Sequence, residues 1–104
     1  MATYFLSFRI ADKTVNGKTY SERREAMINA VHSQGNGFWE GTTSFICLES
    51  PLSTWNIAAK ASAPLSKNDD MLVIFDPSDM SMAHFGKIDH PAALESFFNV
   101  TKKL

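Results

Sequence analysis

The sequence is poor in cysteine and has no long hydrophobic run. The one cysteine among 104 residues, Cys47, excludes an intrachain disulfide and any metal site built from several cysteines. No apolar stretch approaches the roughly 18 residues that a membrane-spanning helix needs. The start of the chain also lacks the basic flank and cleavage pattern of a secretion signal. We therefore expect a cytoplasmic protein that makes no contact with membranes.

An excess of charge of either sign is absent as well. Ten basic and eleven acidic side chains give a formal net charge of -1. This balance does not attract nucleic acid or an anionic membrane to the surface as a whole, so any nucleic-acid contact would need a local basic patch. With 44% hydrophobic residues, a chain of this length is expected to form a single domain, residues 1–104, around one core.

Two apolar runs, residues 4–10 and 71–75, predict strands near the start of the chain and two thirds of the way along it. The first run alternates with a period of two residues, which places its side chains on opposite faces of a strand. The set that contains Tyr4 and Leu6 is expected to pack against helices. The set that contains Phe5 and Arg9 is expected to face away from them.

Three segments have helical patterns. Thr19 and Glu22 form a capping-box pattern that opens the first helix. The second is expected to begin at Pro51 and to end at Pro64, because proline fits the first turn of a helix but not its interior. The third is expected from about residue 89 to Thr101, where apolar residues recur at helical spacing.

Residues 38–39 and 43–48 predict a short hairpin between the first two helices, and residues 82–88 predict a weaker strand. The resulting order is β-α-β-β-α-β with an extra C-terminal strand and helix, the α+β sandwich of the ferredoxin-like layout. Helices would cover one sheet face. The other would expose Phe5, Phe45 and Cys47, more apolar surface than a monomer usually shows. We therefore expect a homodimer that closes through this face.

Five segments together carry a resemblance to a known family: residues 3–8 (TYFLSF), 37–39 (GFW), 42–46 (TTSFI), 52–53 (LS) and 66–73 (SKNDDMLV). They resemble the small SinR-like proteins of bacteria. Those proteins are similar in turn to the CRISPR-associated ferredoxin-like protein of the spacer-integration complex and to virulence-associated protein D. The resemblance spans Thr3 to about Phe98. It implies a dimer of ferredoxin-like protomers with either metal-dependent nuclease activity or a structural role on nucleic acid.

Arg9 departs from the pattern of these relatives. In them, an aspartate at the end of the first strand is held to coordinate the metal, one from each protomer, and Arg9 stands at the matching position. A guanidinium is permanently positive and offers no lone pair to a divalent cation. A nuclease of this kind would therefore need Asp12, or the pair Asp69 and Asp70, to hold Mg²⁺ or Mn²⁺.

The segment from residue 9 to residue 24 holds five basic side chains against two acidic ones, a local charge of +3. The five are Arg9, Lys13, Lys18, Arg23 and Arg24. Such a segment could contact phosphates or an acidic protein partner. A solvated loop and helix face would produce the same pattern, because isolated surface charges seldom indicate binding. The aspartates at 69 and 70 can likewise be explained as a turn before a strand.

Three functions remain open. The preferred hypothesis is a non-catalytic dimeric interaction or scaffold protein without a cofactor, associated with nucleic acid or with a defence system, whose partner contacts the basic segment. The alternative is a Mg²⁺- or Mn²⁺-dependent endonuclease or ribonuclease of toxin type. A ligand-binding regulatory domain that uses the sheet face as its pocket is the third. The spacing of His32, His84 and His90 does not indicate a zinc site.

Overall fold

The computed structural model describes residues 1–104 and contains one six-stranded mixed sheet and three helices. The elements are β1 (Ala2–Arg9), α1 (Tyr20–Val31), β2 (Phe38–Trp39), β3 (Phe45–Ser50), α2 (Thr54–Ser62), β4 (Met71–Asp76), β5 (Ser81–Gly86), α3 (Pro91–Glu95) and β6 (Val100–Lys103). The strand order is β2-β3-β1-β4-β5-β6, and only the β5–β6 pair is parallel. This α+β arrangement is compatible with the ferredoxin-like layout. No helix is both long and apolar enough to cross a membrane.

The core lies between the sheet and the helices α1 and α2. Alternation in β1 buries Tyr4, Leu6 and Phe8, as the two-residue period predicts. Met27 of α1 and Ile57 of α2 belong to the same buried cluster. Burial of these side chains is the main contribution that holds the two helices on the sheet.

The starts of the helices depend on side-chain caps. Thr19 accepts a hydrogen bond from the Glu22 amide, and the Glu22 carboxylate accepts one from the Thr19 amide, so the predicted capping box is confirmed. The predicted start of α2 at Pro51 is wrong. Ser53 caps this helix by accepting a hydrogen bond from the Asn56 amide, and the first helical residue is Thr54.

The predicted long C-terminal helix is also wrong. The helix α3 ends at Glu95, and Thr101 lies in the strand β6. The apolar spacing misled the prediction because Phe98 does pack on the sheet, with its ring centroid 5.2 Å from that of Phe75. The chain turns after α3 so that β6 can satisfy the free backbone groups at the edge of β5, which an extension of the helix could not do.

The sheet has a second face, turned away from α1 and α2, which is covered over only half its width. The register pairs Val73 with His84 on this face, and His84 lies 2.8 Å (Nε2 to Oε2) from Glu95 of α3. Residues 91–98 therefore cover the β4–β5 half. The β1–β3–β2 half, called here the open half, carries Phe5 and Cys47 in register with each other.

Candidate functional site

The basic segment lies at the end of the sheet where β1 finishes and β4 begins, called here the Arg9 end. Arg9 is the last residue of β1 and pairs with Met71, the first residue of β4. The loop from residue 10 to residue 19 crosses this end. Within it, Val15 and Lys18 pair across a tight turn in which Asn16 and Gly17 have positive φ.

The sequence pattern predicted that Arg23 belongs to the contact surface. In the structure Arg23 is instead buried, with only 3% of the residue exposed. Its Nε and Nη2 donate to the Asp70 carboxylate at 3.2 and 3.3 Å. Its other N–H groups donate to the carbonyl oxygens of Lys13, Lys18 and Ala11 at 2.8, 2.9 and 2.7 Å. All five donors of the guanidinium are thus used within the protein, and Arg23 is removed from the predicted contact surface.

The two aspartates that could have held a metal are bound by neighbouring groups. Asp70 is buried and also accepts hydrogen bonds from the amides of Ala11 and Ser66, each at 2.8 Å. Asp69 accepts from the Lys13 ammonium at 2.7 Å and from the Ser66 hydroxyl at 2.6 Å. These two hydrogen bonds hold the pKa of the Asp69 carboxyl below its usual range. The pair therefore ties two loops together at the Arg9 end.

Asp12 is exposed in the loop that follows β1. No three His, Cys, Asp or Glu side chains lie close enough together to hold a metal ion. The alternative of a Mg²⁺- or Mn²⁺-dependent nuclease stays a prediction, and no arrangement of side chains favours it.

The remaining basic residues of the segment do reach the surface. Arg9 and Lys18 are exposed and form no ion pair, and Lys13 remains 60% exposed beside Asp69. Arg24 is partly exposed. Its Nε donates to a backbone carbonyl in the loop before β3 at 3.3 Å, and its guanidinium carbon lies 5.7 Å from the centroid of the Phe8 ring.

A cavity of about 220 Å³ opens beside Arg9. It is bounded by the end of β1, the start of α1 and the loop before β3. The residues that line it are Phe8, Arg9, Ile10, Tyr20, Thr43 and Ser44. Its three hydroxyl-bearing residues were not predicted from the sequence as site residues. The run of hydroxyls at residues 42–44, just before a predicted strand, was the available signal.

The open half of the second sheet face is aromatic. The Phe5 ring packs against Phe45 and Phe75, with centroid distances of 5.8 and 5.5 Å. Trp39 pairs with Cys47 across the β2–β3 hairpin, so its ring belongs to the same face, and it is 52% exposed. The three residues predicted for a dimer face, Phe5, Phe45 and Cys47, do share this face. The register of the hairpin could have added Trp39.

A second polar cluster lies at the opposite end of the sheet, around Tyr4. The Tyr4 hydroxyl donates to the carbonyl of Leu52 at 2.6 Å. Burial raises its pKa, and the nearby charges of Asp76 and Asp79 act in the same direction. Asp79 accepts hydrogen bonds from the hydroxyl and amide of Ser81, which lower the pKa of its carboxyl. Tyr4 and Asp79 therefore both have hydrogen-bond partners within the protein.

The chain matches no family model, and it matches no curated protein and no solved structure. The resemblance to SinR-like proteins therefore remains a prediction from the residues themselves.

Proposed function

We propose that this chain is a non-catalytic interaction or scaffold module with a ferredoxin-like fold. It forms a homodimer through the open half of its sheet, and its partner, a nucleic acid, contacts the Arg9 end. The aromatic surface left open beside α3 carries this proposal. The resemblance to SinR-like proteins agrees with it, and Arg9 in place of the expected aspartate favours binding over metal-dependent cleavage.

The occupant of the open half is best explained as a second copy of the chain. Phe5, Phe45 and Cys47, each partly exposed, lie next to one another on this face, and Trp39 beside Cys47 is half exposed. Neighbouring apolar side chains that remain accessible on one face are typical of an interaction surface. The covering segment, residues 91–98, stands above the sheet directly beside this apolar surface. A copy related by a two-fold axis parallel to the strands fits the two open halves together, with each covering segment beside the partner's β2 edge.

This arrangement has a consequence for the Arg9 end. An axis parallel to the strands brings the same end of each sheet to the same side of the dimer. The exposed residues Arg9, Lys13 and Lys18 of both protomers then form one basic surface. One polyanion could contact both copies, which supports nucleic acid as the partner.

The mass of the protein in solution tests the dimer. We expect sedimentation equilibrium to give twice the 11.6 kDa of the chain. Trp39→Glu and Phe5→Glu should each give a monomer, because a carboxylate would be desolvated at the interface. Trp39 is half exposed in one protomer, so its replacement leaves the folded monomer intact.

Val100→Glu is the matched control. Val100 is also exposed, at 54%, but lies on β6 away from the open half. It should remain a dimer. A wild-type protein that stays monomeric at high micromolar concentration, or a Trp39→Glu protein that still dimerises, would contradict the proposal.

A further inference from the structure

We propose that the cavity at the end of β1 is a binding site for a phosphate group. Its floor is apolar, because Phe8 and Ile10 are buried there. Around this floor the cavity is lined by Arg9 and by three hydroxyl-bearing residues, Tyr20, Thr43 and Ser44. No carboxylate lines it. One positive charge and several hydroxyl donors around a small concave surface suit an anion rich in oxygen acceptors.

The donors on the rim are free to bind. Arg9 makes no side-chain hydrogen bond and no ion pair, in contrast to the fully used guanidinium of Arg23. The Tyr20 hydroxyl has no protein partner either. The hydroxyls of Thr43 and Ser44 lie 3.3 Å apart, so only one of their two protons is used between them. These groups can therefore donate to a ligand without breaking existing contacts.

Arg24 adds a second positive charge at the rim. It contacts two of the lining residues, through the carbonyl of Thr43 and the ring of Phe8. These contacts fix the guanidinium at the cavity while leaving its Nη groups available. The nearest carboxylate, that of Glu40, lies 3.9 Å from Nη1 and is partly exposed, so it neutralises Arg24 only weakly.

The arrangement of the donors and the size of the cavity indicate a phosphate rather than a whole small molecule. The lining residues belong to three parts of the chain, β1, α1 and the loop before β3. A tetrahedral phosphate presents oxygens in several directions and suits donors from separate elements, whereas a carboxylate presents its two oxygens in one plane. The volume of about 220 Å³ is below the range of roughly 300–1000 Å³ that is typical of pockets for complete ligands. The cavity fits one phosphate of a larger molecule that extends over the surface.

The inference rests on the proposed partner contact at the Arg9 end and not on the dimer, because one protomer supplies every lining residue. The phosphate could belong to a nucleic-acid backbone or to a free phosphate compound. The exposed Lys13 and Lys18 in the adjoining loop favour a chain with further phosphates along it. Inorganic phosphate and an oligonucleotide therefore serve as separate probes.

A titration followed by ¹H–¹⁵N NMR tests the site directly. Inorganic phosphate is added to the full chain at constant ionic strength, with chloride as the reference anion. We expect saturable shifts of the amides of Tyr20, Thr43 and Ser44. Arg9→Gln should weaken phosphate binding by about tenfold or more, because it removes a charged donor pair. Tyr20→Phe should weaken it by a smaller factor, since only one neutral donor is lost.

Lys60→Gln is the control for net charge, because Lys60 is exposed on α2 and does not line the cavity. It should leave phosphate binding unchanged. Equal weakening by Arg9→Gln and Lys60→Gln would overturn the site, as would shifts spread over the surface without saturation. A folded spectrum of each variant shows that the comparison is valid.

A single-stranded RNA oligonucleotide without terminal phosphates then distinguishes the two sources. If backbone phosphates occupy the cavity, Arg9→Gln should weaken RNA binding and reduce its logarithmic salt dependence by about one unit. If inorganic phosphate binds and the oligonucleotide does not, the cavity stands as a site for a free phosphate compound and the nucleic-acid part of the proposed function fails. If Arg9→Gln leaves RNA binding unchanged, the cavity is not the site that binds the RNA phosphates, whereas nucleic acid remains the class of partner.

Discussion

Arg23 is the residue that joins the loops at the Arg9 end. Its guanidinium binds the buried carboxylate of Asp70 and three carbonyl oxygens of the loop after β1. A buried ion pair is costly to form, but a buried charge without its partner is costlier still. This residue therefore determines the position of the loop that carries Lys13 and Lys18.

We expect Arg23→Met to lower the free energy of unfolding by about 3–5 kcal/mol, because it leaves the Asp70 carboxylate buried and unpaired. Urea denaturation measures the change. Arg24→Met is the matched control and should cost less than about 1 kcal/mol, since Arg24 pairs only weakly at the surface. Equal losses in the two variants would show that the buried pair has no special role.

Gly86 occupies a position that no other residue fits. Its φ is +82°, and an added Cβ would lie 1.9 Å from the Asp70 carbonyl oxygen. That oxygen accepts the amide of Lys87 at 3.1 Å, which fixes the start of β4 against the end of β5. The glycine is therefore required by close backbone approach as well as by its conformation.

Gly86→Ala should lower the free energy of unfolding by at least about 3 kcal/mol, because a backbone clash adds to left-handed strain. Gly17→Ala isolates the strain alone. Gly17 has a φ of +77° and open space around it, so its replacement should cost about 1–2 kcal/mol. Thermal unfolding of both variants measures the difference, and an equal loss would argue against the clash.

At the scale of elements, α1 begins where its cap dictates. The Thr19 and Glu22 side chains satisfy two free amides of the first turn. We expect Thr19→Ala to lower the free energy of unfolding by about 1 kcal/mol. Ser21→Ala, one residue inside the exposed first turn, should change it far less. Chemical denaturation compares the two, and equal effects would contradict the cap.

The elements also show which sequence patterns can be trusted. The capping box and the alternation of β1 predicted α1 and β1 correctly because both signals act within a few residues. The pattern after residue 89 failed because Phe98 contacts Phe75, far away in sequence, from a turn rather than from a helix. Local spacing cannot distinguish these cases when an open strand edge is available to pair.

For the molecule as a whole, the shifted ionisations determine how stability depends on pH. Hydrogen bonds lower the pKa of Glu22, Asp69 and Asp79 in the folded state. The stability that these three carboxylates contribute is fully present at a pH above their unfolded pKa values, which are near 4. It is lost as the pH falls through their lower pKa values in the folded state. Burial raises the pKa of Tyr4, so its contribution is present below about 10 and is lost as the pH rises further.

We therefore expect the urea midpoint to fall on acidification below about pH 4 and again on alkalinisation above about pH 10. Glu22→Gln should flatten the acid side, because the amide no longer titrates. Tyr4→Phe should flatten the alkaline side. A midpoint that is independent of pH below 4 would contradict the role assigned to the three carboxylates.

The absence of catalysis is a separate expectation for the whole protein. Labelled single- and double-stranded RNA and DNA should remain intact with Mg²⁺ or Mn²⁺, because Asp69 and Asp70 are bound by Ser66, Lys13 and Arg23. Gel electrophoresis measures cleavage. Metal-dependent cleavage that disappears in Asp12→Ala would overturn the non-catalytic proposal and assign the alternative function.

The sequence by itself determined the α+β class, the sheet face that meets the helices and the cap of α1. These follow from periodicity and from contacts within a few residues, which every chain carries locally. The tertiary structure alone decided that Arg23 is buried while Arg9 is free. Both residues are arginines in the same basic segment, so no local pattern distinguishes them. The carboxylate that binds Arg23 belongs to Asp70, which lies 47 residues away in the sequence. The same long-range packing brought Arg9 beside the hydroxyls of the loop before β3.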